Sequence, residues 1–299
     1  MPGYTDIRRD DWIDRRLPPG WRPYARLARL DRPIGWWLLL LPCWWSLALA
    51  SPGRPPILLF ILFWIGAVVM RGAGCTLNDI VDRHLDAAVE RTRVRPIPSG
   101  QVSVFQAFLF MAAQCLIGAL VLLCLRRQAI ELGLGVLVLV VAYPFMKRIT
   151  FWPQLFLGLN FNWGALIAWA TVTGHVAPAA LALYVAGIAW TLGYDTIYAH
   201  QDKADDVAAG IKSTALLFAG ASKLWIGGFY AVTVLGVTLA LMLEGAHDAA
   251  YLAVMALALH FAWQVLAWRM DDQADSLAKF KSNRVAGLIV TAACLLAGW

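Results

Sequence analysis

The sequence predicts an all-α, polytopic membrane protein with about nine transmembrane helices. Three observations carry that reading. Of 299 residues, 60% are hydrophobic and only 15% are charged, whereas an ordinary soluble domain carries about 25% charge. A single core of this size cannot hide so much apolar surface from water. The charges are also missing from long runs, and a lipid-exposed segment must satisfy its backbone polar groups internally, so the runs should be helices. A soluble enzyme, a disordered chain and a secreted disulfide scaffold are all disfavoured. The five cysteines are odd in number, form no CxxC pair and lie in apolar stretches, so they read as packing residues.

Residues 1–31 read as a polar N-terminal tail, ahead of one membrane domain over 32–299. The tail has no apolar core and does not read as a signal peptide. Asp6, Asp10, Asp11, Asp14 and Asp31 are interleaved with its arginines, which argues against an organellar transit peptide. A bacterial plasma membrane is then the expected address.

The uncharged runs follow in order: Pro33–Gly53, Pro55–Met70 (continuing past Arg71 to Asn78), Pro96–Leu125, Ala129–Met146 with one acid at Glu131, Ile149–Tyr194, Leu224–Leu243, Ala249–Trp268 and Val285–Trp299. A span needs about 20 apolar residues. Ile149–Tyr194, at 46 residues, is too long for one span. The turn chemistry of Thr173-Gly174-His175 with Pro178 divides it, which makes nine spans.

With nine spans, the tail and the loops after spans two, four, six and eight carry 21 Lys or Arg, and the opposite side carries 3. The positive-inside rule puts the 21-residue side in the cytoplasm, with the N-terminus inside and the C-terminus outside.

Eight of the 19 acids fall in two short segments on that side, Asn78–Glu90 and Asp195–Asp206. Asn78, Asp82 and Asp86 are spaced i, i+4, i+8 and drift only about 80° around a helix. Asp195, Asp202 and Asp206 stay within roughly 40°. Each group is a stripe of like charges that needs a cation beside it. Hard oxygen donors with an amide carbonyl suit Mg²⁺, which is bound through one or two carboxylates, waters and a substrate phosphate. Asp79 points about 100° away from Asn78 and ranks lower. An isolated DxxxD is usually a solvated helix end, but two on one membrane face favour a site.

Cations flank both stripes: Arg91, Arg93 and Arg95 after the first, Lys203 and Lys212 around the second. That arrangement suits a diphosphate carried with Mg²⁺, although each cation alone could be positive-inside signal. Arg95-Pro96-Ile97-Pro98-Ser99-Gly100 is rigid turn chemistry. Tyr143-Pro144-Phe145-Met146-Lys147-Arg148 ends span four; its arginine could hold a planar carboxylate or simply anchor topology. Asn160 and Asn162, inside span five, should turn at least one amide to the bundle interior, where helix–helix bonding is the bland reading. Trp36, Trp37, Trp44 and Trp45 read as an interfacial belt. Other inward-facing Trp could stabilise a carbocation.

Asn78-Asp79-x-x-Asp82-x-x-x-Asp86 resembles the first signature of the UbiA family of intramembrane prenyltransferases. Asp202-x-x-x-Asp206, with Tyr194-Asp195-Thr196 before it and Gly210-Ile211-Lys212-Ser213-Thr214 after it, resembles the second. The likeness includes Leu30-Asp31-Arg32-Pro33-Ile34-Gly35, the RPIPSG and YPFMKR segments and Phe161-Asn162-Trp163-Gly164, and it is strongest to the members that prenylate 4-hydroxybenzoate. It implies nine helices around a central cavity capped on the cytoplasmic side. It implies Mg²⁺ and a polyprenyl diphosphate held by Asn78, Asp82, Asp86, Asp202 and Asp206, with Asp79 a weaker candidate. It also implies Asp195 assisting the phenol or an intervening metal, and Arg148 or Lys147 on the benzoate carboxylate. Arg32, Arg91, Arg95, Lys203, Lys212, Tyr143, Asn162 and Tyr198 are the implied substrate-binding residues. The implied partners are polyprenyl diphosphate, 4-hydroxybenzoate and the bilayer, with no nucleic acid. A sibling acceptor (homogentisate, naphthoate, haem or chlorophyllide) is the near alternative. A cation-coupled transporter is the distant one, because its carboxylates would sit near the midplane.

Overall fold

A computed structural model of the chain describes residues 11–53, 56–88, 92–201, 203 and 212–298. Among them every regular element is a helix. The helices are α1 (Trp12–Arg16), α2 (Arg22–Leu27), α3 (Ile34–Leu49), α4 (Ile57–Val81), α5 (Arg83–Ala88), α6 (Val104–Leu123), α7 (Arg127–Gly135), α8 (Leu137–Ile149), α9 (Pro153–Thr173), α10 (Pro178–Ala199), α11 (Thr214–Phe218), α12 (Ser222–Leu243), α13 (Asp248–Ala267) and α14 (Gln273–Leu296).

Seven segments of the described chain are long and apolar enough to cross a membrane: α4, α6, α7 with α8, α9, α10, α11 with α12, and α13. The first expected span, α3, has 16 residues and is shorter than that measure. The last, α14, begins with a polar half that includes Lys279 and Lys281. Two of the nine expected spans therefore do not pass on length and composition. The third also starts later than its uncharged run. Residues 96–102 form the expected turn, with Val102 donating to Pro96 O at 3.0 Å. The helix begins only after Ser103, whose hydroxyl accepts from the Gln106 N–H while the Gln106 side chain accepts from the Ser103 N–H. This is a capping box, and it satisfies two donors that the first helical turn leaves open. The division of the 46-residue run falls where expected. Gly174 closes α9 at φ 81°, a left-handed backbone that side chains with a Cβ avoid, and Pro178 opens α10.

The chain forms two compact units. One comprises the described part of Met1–Trp37 with Trp64–Cys124. The segment expected as a tail is partly structural here, because α1 and α2 bury Ile13 and Leu27 completely. Leu27 joins Ile97, Val102 and Ala107 in a small core edged by Tyr24, Ile80 and Phe110.

The other unit comprises Leu38–Phe63 with Leu125–Trp299. Largely buried α10 is its centre and packs against α9, α12 and α14. Close approach to α9 requires Gly187, since a Cβ there would land on the Asn162 amide. Buried polar groups in apolar helices need partners, and the sequence supplies local ones. Thr171, Thr233, Thr238 and Thr291 donate to the carbonyl four residues back. Trp45, expected in an interfacial belt, lies fully inside instead. Its indole N–H donates to Gly287 O at 2.8 Å and its ring meets Trp190 at 5.1 Å. An indole with a partner for its N–H packs well in a core, and position along the chain cannot distinguish that from a belt.

Candidate functional site

The first aspartate segment straddles the end of α4. The Asp82 N–H donates to Asn78 O at 2.8 Å and the Asp86 N–H to Asp82 O at 2.8 Å. The i to i−4 ladder thus runs from α4 into α5, and Asn78, Asp82 and Asp86 share a helix face as their spacing predicts. Asp82 and Asp86 are buried, and Asn78 is half-buried.

Asp79 faces a different partner. Arg29 Nη2 donates to both of its oxygens, at 2.7 and 3.0 Å, and the Asp79 side chain is only 1% exposed. Arg29 reaches it from an unusual backbone. At the end of α2, the Leu30 N–H donates to Ala25 O and the Arg29 N–H to Arg26 O, both at 3.0 Å. That is a Schellman closure, in which glycine normally occupies the left-handed position. Arg29 sits there with φ 58°, at a cost of roughly 1–2 kcal/mol for a residue with a Cβ.

Arg95 joins the two carboxylates. Its Nη1 lies 2.9 Å from Asp86 Oδ2 and 3.5 Å from Asp79 Oδ1. Burial pushes the Asp86 carboxyl above its usual range. The charge and hydrogen bond of Arg95 oppose that, while Asp79 and Asp82 add to it. Asp79, Asp82 and Asp86 thus lie within two helical turns, and the like charges of Asp79 and Asp82 raise the Asp86 carboxyl, which a bound cation would oppose. The donor set fits Mg²⁺: an amide oxygen and two carboxylates on one face. Among the described residues, no three acidic, His or Cys side chains already converge as a metal site.

The other expected residues are placed as follows. Arg32 pairs with its neighbour Asp31 at 2.9 Å. Tyr143 and Lys147 are half-buried on α8, one helical turn apart, and Arg148 beside them is exposed. Lys212 donates through Nζ to Ile149 O at 3.2 Å and through its backbone N–H to Lys147 O at 3.0 Å, so it closes the end of α8. Asn162 is completely buried; its amide donates to Gly158 O and to Thr191 Oγ1, at 2.8 and 2.9 Å. That placement is the helix–helix bond between α9 and α10. Asp195 and Tyr198 lie half-buried near the end of α10, with the Tyr198 ring 4.6 Å from Phe280. Lys203 is half-buried. Arg91, Asp202 and Asp206 lie outside the described residues.

Sequence reasoning missed the contacts that hold the chain just ahead of Asp202. His200 Nε2 lies 2.9 Å from Ser222 Oγ, and its ring meets Trp268 edge-on at 4.9 Å. Gln273 donates to Gln201 O at 3.0 Å. Burial, reinforced by the Lys203 charge and opposed by Asp271, lowers the imidazole to about 4, so it is neutral at physiological pH. No local pattern announces these contacts, because the partners are more than 20 residues away in sequence.

Residues 39–294 match the sequence model of the UbiA prenyltransferase family. The chain belongs to the UbiA family. A 4-hydroxybenzoate polyprenyltransferase, mitochondrial, from Rattus norvegicus is 51% identical over 272 residues, covering 90% of this chain and 73% of the relative. One of the same name from Arabidopsis thaliana is 46% identical over 293 residues, covering 97% of this chain and 72% of the relative. Among solved structures, the UbiA fold recurs in an apo UbiA homolog from Aeropyrum pernix K1. Its TM-score is 0.72 at 24% identity, covering 86% of this chain and 96% of that one. A UbiA homolog from Archaeoglobus fulgidus bound to GPP and Mg²⁺ has TM-score 0.72 at 16% identity, covering 92% and 99%. This UbiA chain is therefore a membrane prenyltransferase. The mitochondrial names of its relatives overturn the expected bacterial plasma membrane. Charge asymmetry orients a bundle within a membrane and does not specify which membrane, and the acids among the tail's arginines were a weak argument about the compartment.

Proposed function

We propose that the protein transfers a polyprenyl group from polyprenyl diphosphate to the ring carbon ortho to the hydroxyl of 4-hydroxybenzoate, releasing diphosphate, in a mitochondrial membrane. The observation that carries the site is the Asn78, Asp82 and Asp86 face, continuous across two hydrogen-bonded turns at the polar end of an apolar span. The names of relatives at about half identity support the acceptor and the address.

The reaction breaks the allylic C–O bond, with its electron pair leaving on the diphosphate, and forms a bond from the ring carbon to the prenyl carbon. The ring then loses the proton from that carbon. Bound Mg²⁺ would supply electrostatic stabilisation of the charge growing on the diphosphate. Asn78, Asp82 and Asp86 are the metal ligands on the first segment, and Asp202 and Asp206 keep that role on the second. Arg95, Arg91, Arg32 and Lys203 bind diphosphate oxygens by charge-assisted hydrogen bonds. Asp195, half-buried on α10, assists the phenol or takes the ring proton. Arg148, with Lys147 and Tyr143, receives the benzoate carboxylate, for which a planar fork is suited. Apolar helices give the polyprenyl tail a lipid-miscible path, and the aromatic rings near Tyr198 shelter the allylic cation from water.

An acceptor panel with detergent-solubilised protein, scored by product mass, tests this reading. Prenylated 4-hydroxybenzoate is expected. Prenylation of homogentisate or naphthoate alone would move the acceptor while leaving the metal ligands in place.

A further inference from the structure

Arg29 and Asp79 have no role in the chemistry above, yet they form a buried ion pair beside the first metal-ligand face, with side chains 11% and 1% exposed. We infer that they are positioning residues for Arg95, and that Arg95 is a stand-in cation which a metal arriving on Asp86 displaces. This rests on the assignment of Asp86 as a metal ligand.

The geometry points this way at each link. Both Asp79 oxygens accept from Arg29, and the carboxylate is almost sealed from solvent, so it has little left to offer a metal. Arg95 places one nitrogen on Asp86 Oδ2 at 2.9 Å and within 3.5 Å of Asp79 Oδ1. A divalent ion on Asp86 would draw on the same carboxylate charge and repel the guanidinium, so ligation loosens the shorter contact. The guanidinium then keeps Asp79 as an anchor instead of swinging into solvent, and its freed N–H groups can donate to a diphosphate oxygen. Each group exchanges one counter-charge for another. Asp86 trades arginine for metal, and Arg95 trades carboxylate for phosphate, so no buried charge is left bare during loading. Arg29 fixes the pivot. The strained left-handed backbone of Arg29 has its explanation here, since glycine at that position would close the turn and leave Asp79 unheld.

The test uses the full detergent-solubilised chain. Binding of Mn²⁺ alone is followed by the electron paramagnetic resonance signal of the free ion, and donor KM is measured separately. Arg95→Gln is expected to tighten Mn²⁺ binding at least about threefold, because Asp86 no longer has a competitor, while donor KM rises about tenfold or more. Asp79→Asn is expected to raise donor KM by about fivefold or more with Mn²⁺ affinity within about twofold of wild type. Arg29→Gln should reproduce the Asp79→Asn result, and it carries the test if Asp79→Asn does not fold. Asp79→Glu should recover part of the donor KM, which a generally loosened fold would not do.

If Asp79→Asn weakens Mn²⁺ as much as Asp82→Asn, Asp79 is a ligand and the inference falls while the metal reading stands. It falls equally if Arg95→Gln weakens Mn²⁺. If the wild-type protein binds no Mn²⁺ at all, both fall together.

Discussion

The Asp82 backbone N–H donates to the Asn78 carbonyl at 2.8 Å, across the point where α4 ends. Helical phase is therefore kept past the last residue of the span, and the two side chains stay on one face. The second carboxylate of that face, Asp86, follows by the same bond. The donor set is a product of helix pitch, built at the boundary where an apolar helix meets polar surroundings.

Asp82→Ala is expected to lower prenyl transfer by about a hundredfold or more, the usual scale for losing a group that stabilises charge in the transition state, in protein that still elutes as a folded species. Transfer close to wild type at saturating Mg²⁺ would remove Asp82 from the metal-ligand set.

Arg148→Ala is expected to raise the KM for 4-hydroxybenzoate by about 10–100-fold, the loss of a charge-assisted hydrogen bond, with donor KM little changed. Arg148→Lys should recover only part of it, because an ammonium cannot grip a carboxylate with two parallel bonds. An unchanged acceptor KM in Arg148→Ala would return that arginine to a topology anchor.

Gly187→Ala is expected to destabilise the protein by about 1–3 kcal/mol, the cost of overpacking a close helix crossing. The new Cβ falls on the Asn162 amide that joins α9 to α10. A thermal unfolding midpoint in detergent equal to wild type would mean that the two helices can separate slightly at no cost.

Asp275 carries a pH prediction. Burial pushes its carboxyl up, but the Arg269 N–H, the Lys279 ammonium and the Arg269 charge outweigh that and hold it below the usual range. Its hydrogen bonds are short, 2.8 Å from Arg269 N and 3.1 Å from Lys279 Nζ. A carboxyl lowered by folding stabilises the protein above its unfolded pKa of about 3.9, and that contribution is lost as pH falls through the folded value. Asp275→Asn should therefore cost about 1 kcal/mol or less near neutral pH, the scale of a partly solvated ion pair, and nearly nothing once the wild-type carboxyl is protonated. A variant whose deficit persisted unchanged at low pH would show that the loss lies in packing and not in charge.

Much of this was legible locally. The uncharged runs, the turn at Gly174 and the cations flanking the aspartates depend only on neighbouring residues. The start of α6 is legible as well, in Ser103 and Gln106, but charge alone does not mark it, because a turn rich in proline can be as uncharged as a span. Trp45 and Asn162 were read less well, because one residue type can serve a belt, a core or a ligand site. Trp45 meets Gly287 across 242 residues, and Asn162 meets Thr191 across 29.

By itself the sequence determined the membrane class, the order of the spans and the shared face of Asn78, Asp82 and Asp86. Hydrophobic transfer and helical pitch act over a few residues, so both are written locally. Tertiary structure alone decided what holds Asp79. Asp79 and Asp82 are adjacent members of one motif, yet Arg29, fifty residues earlier, takes both oxygens of the first. An ion pair is set by position in space, and the left-handed turn that brings Arg29 to Asp79 has no signature in residues that would normally place a glycine there.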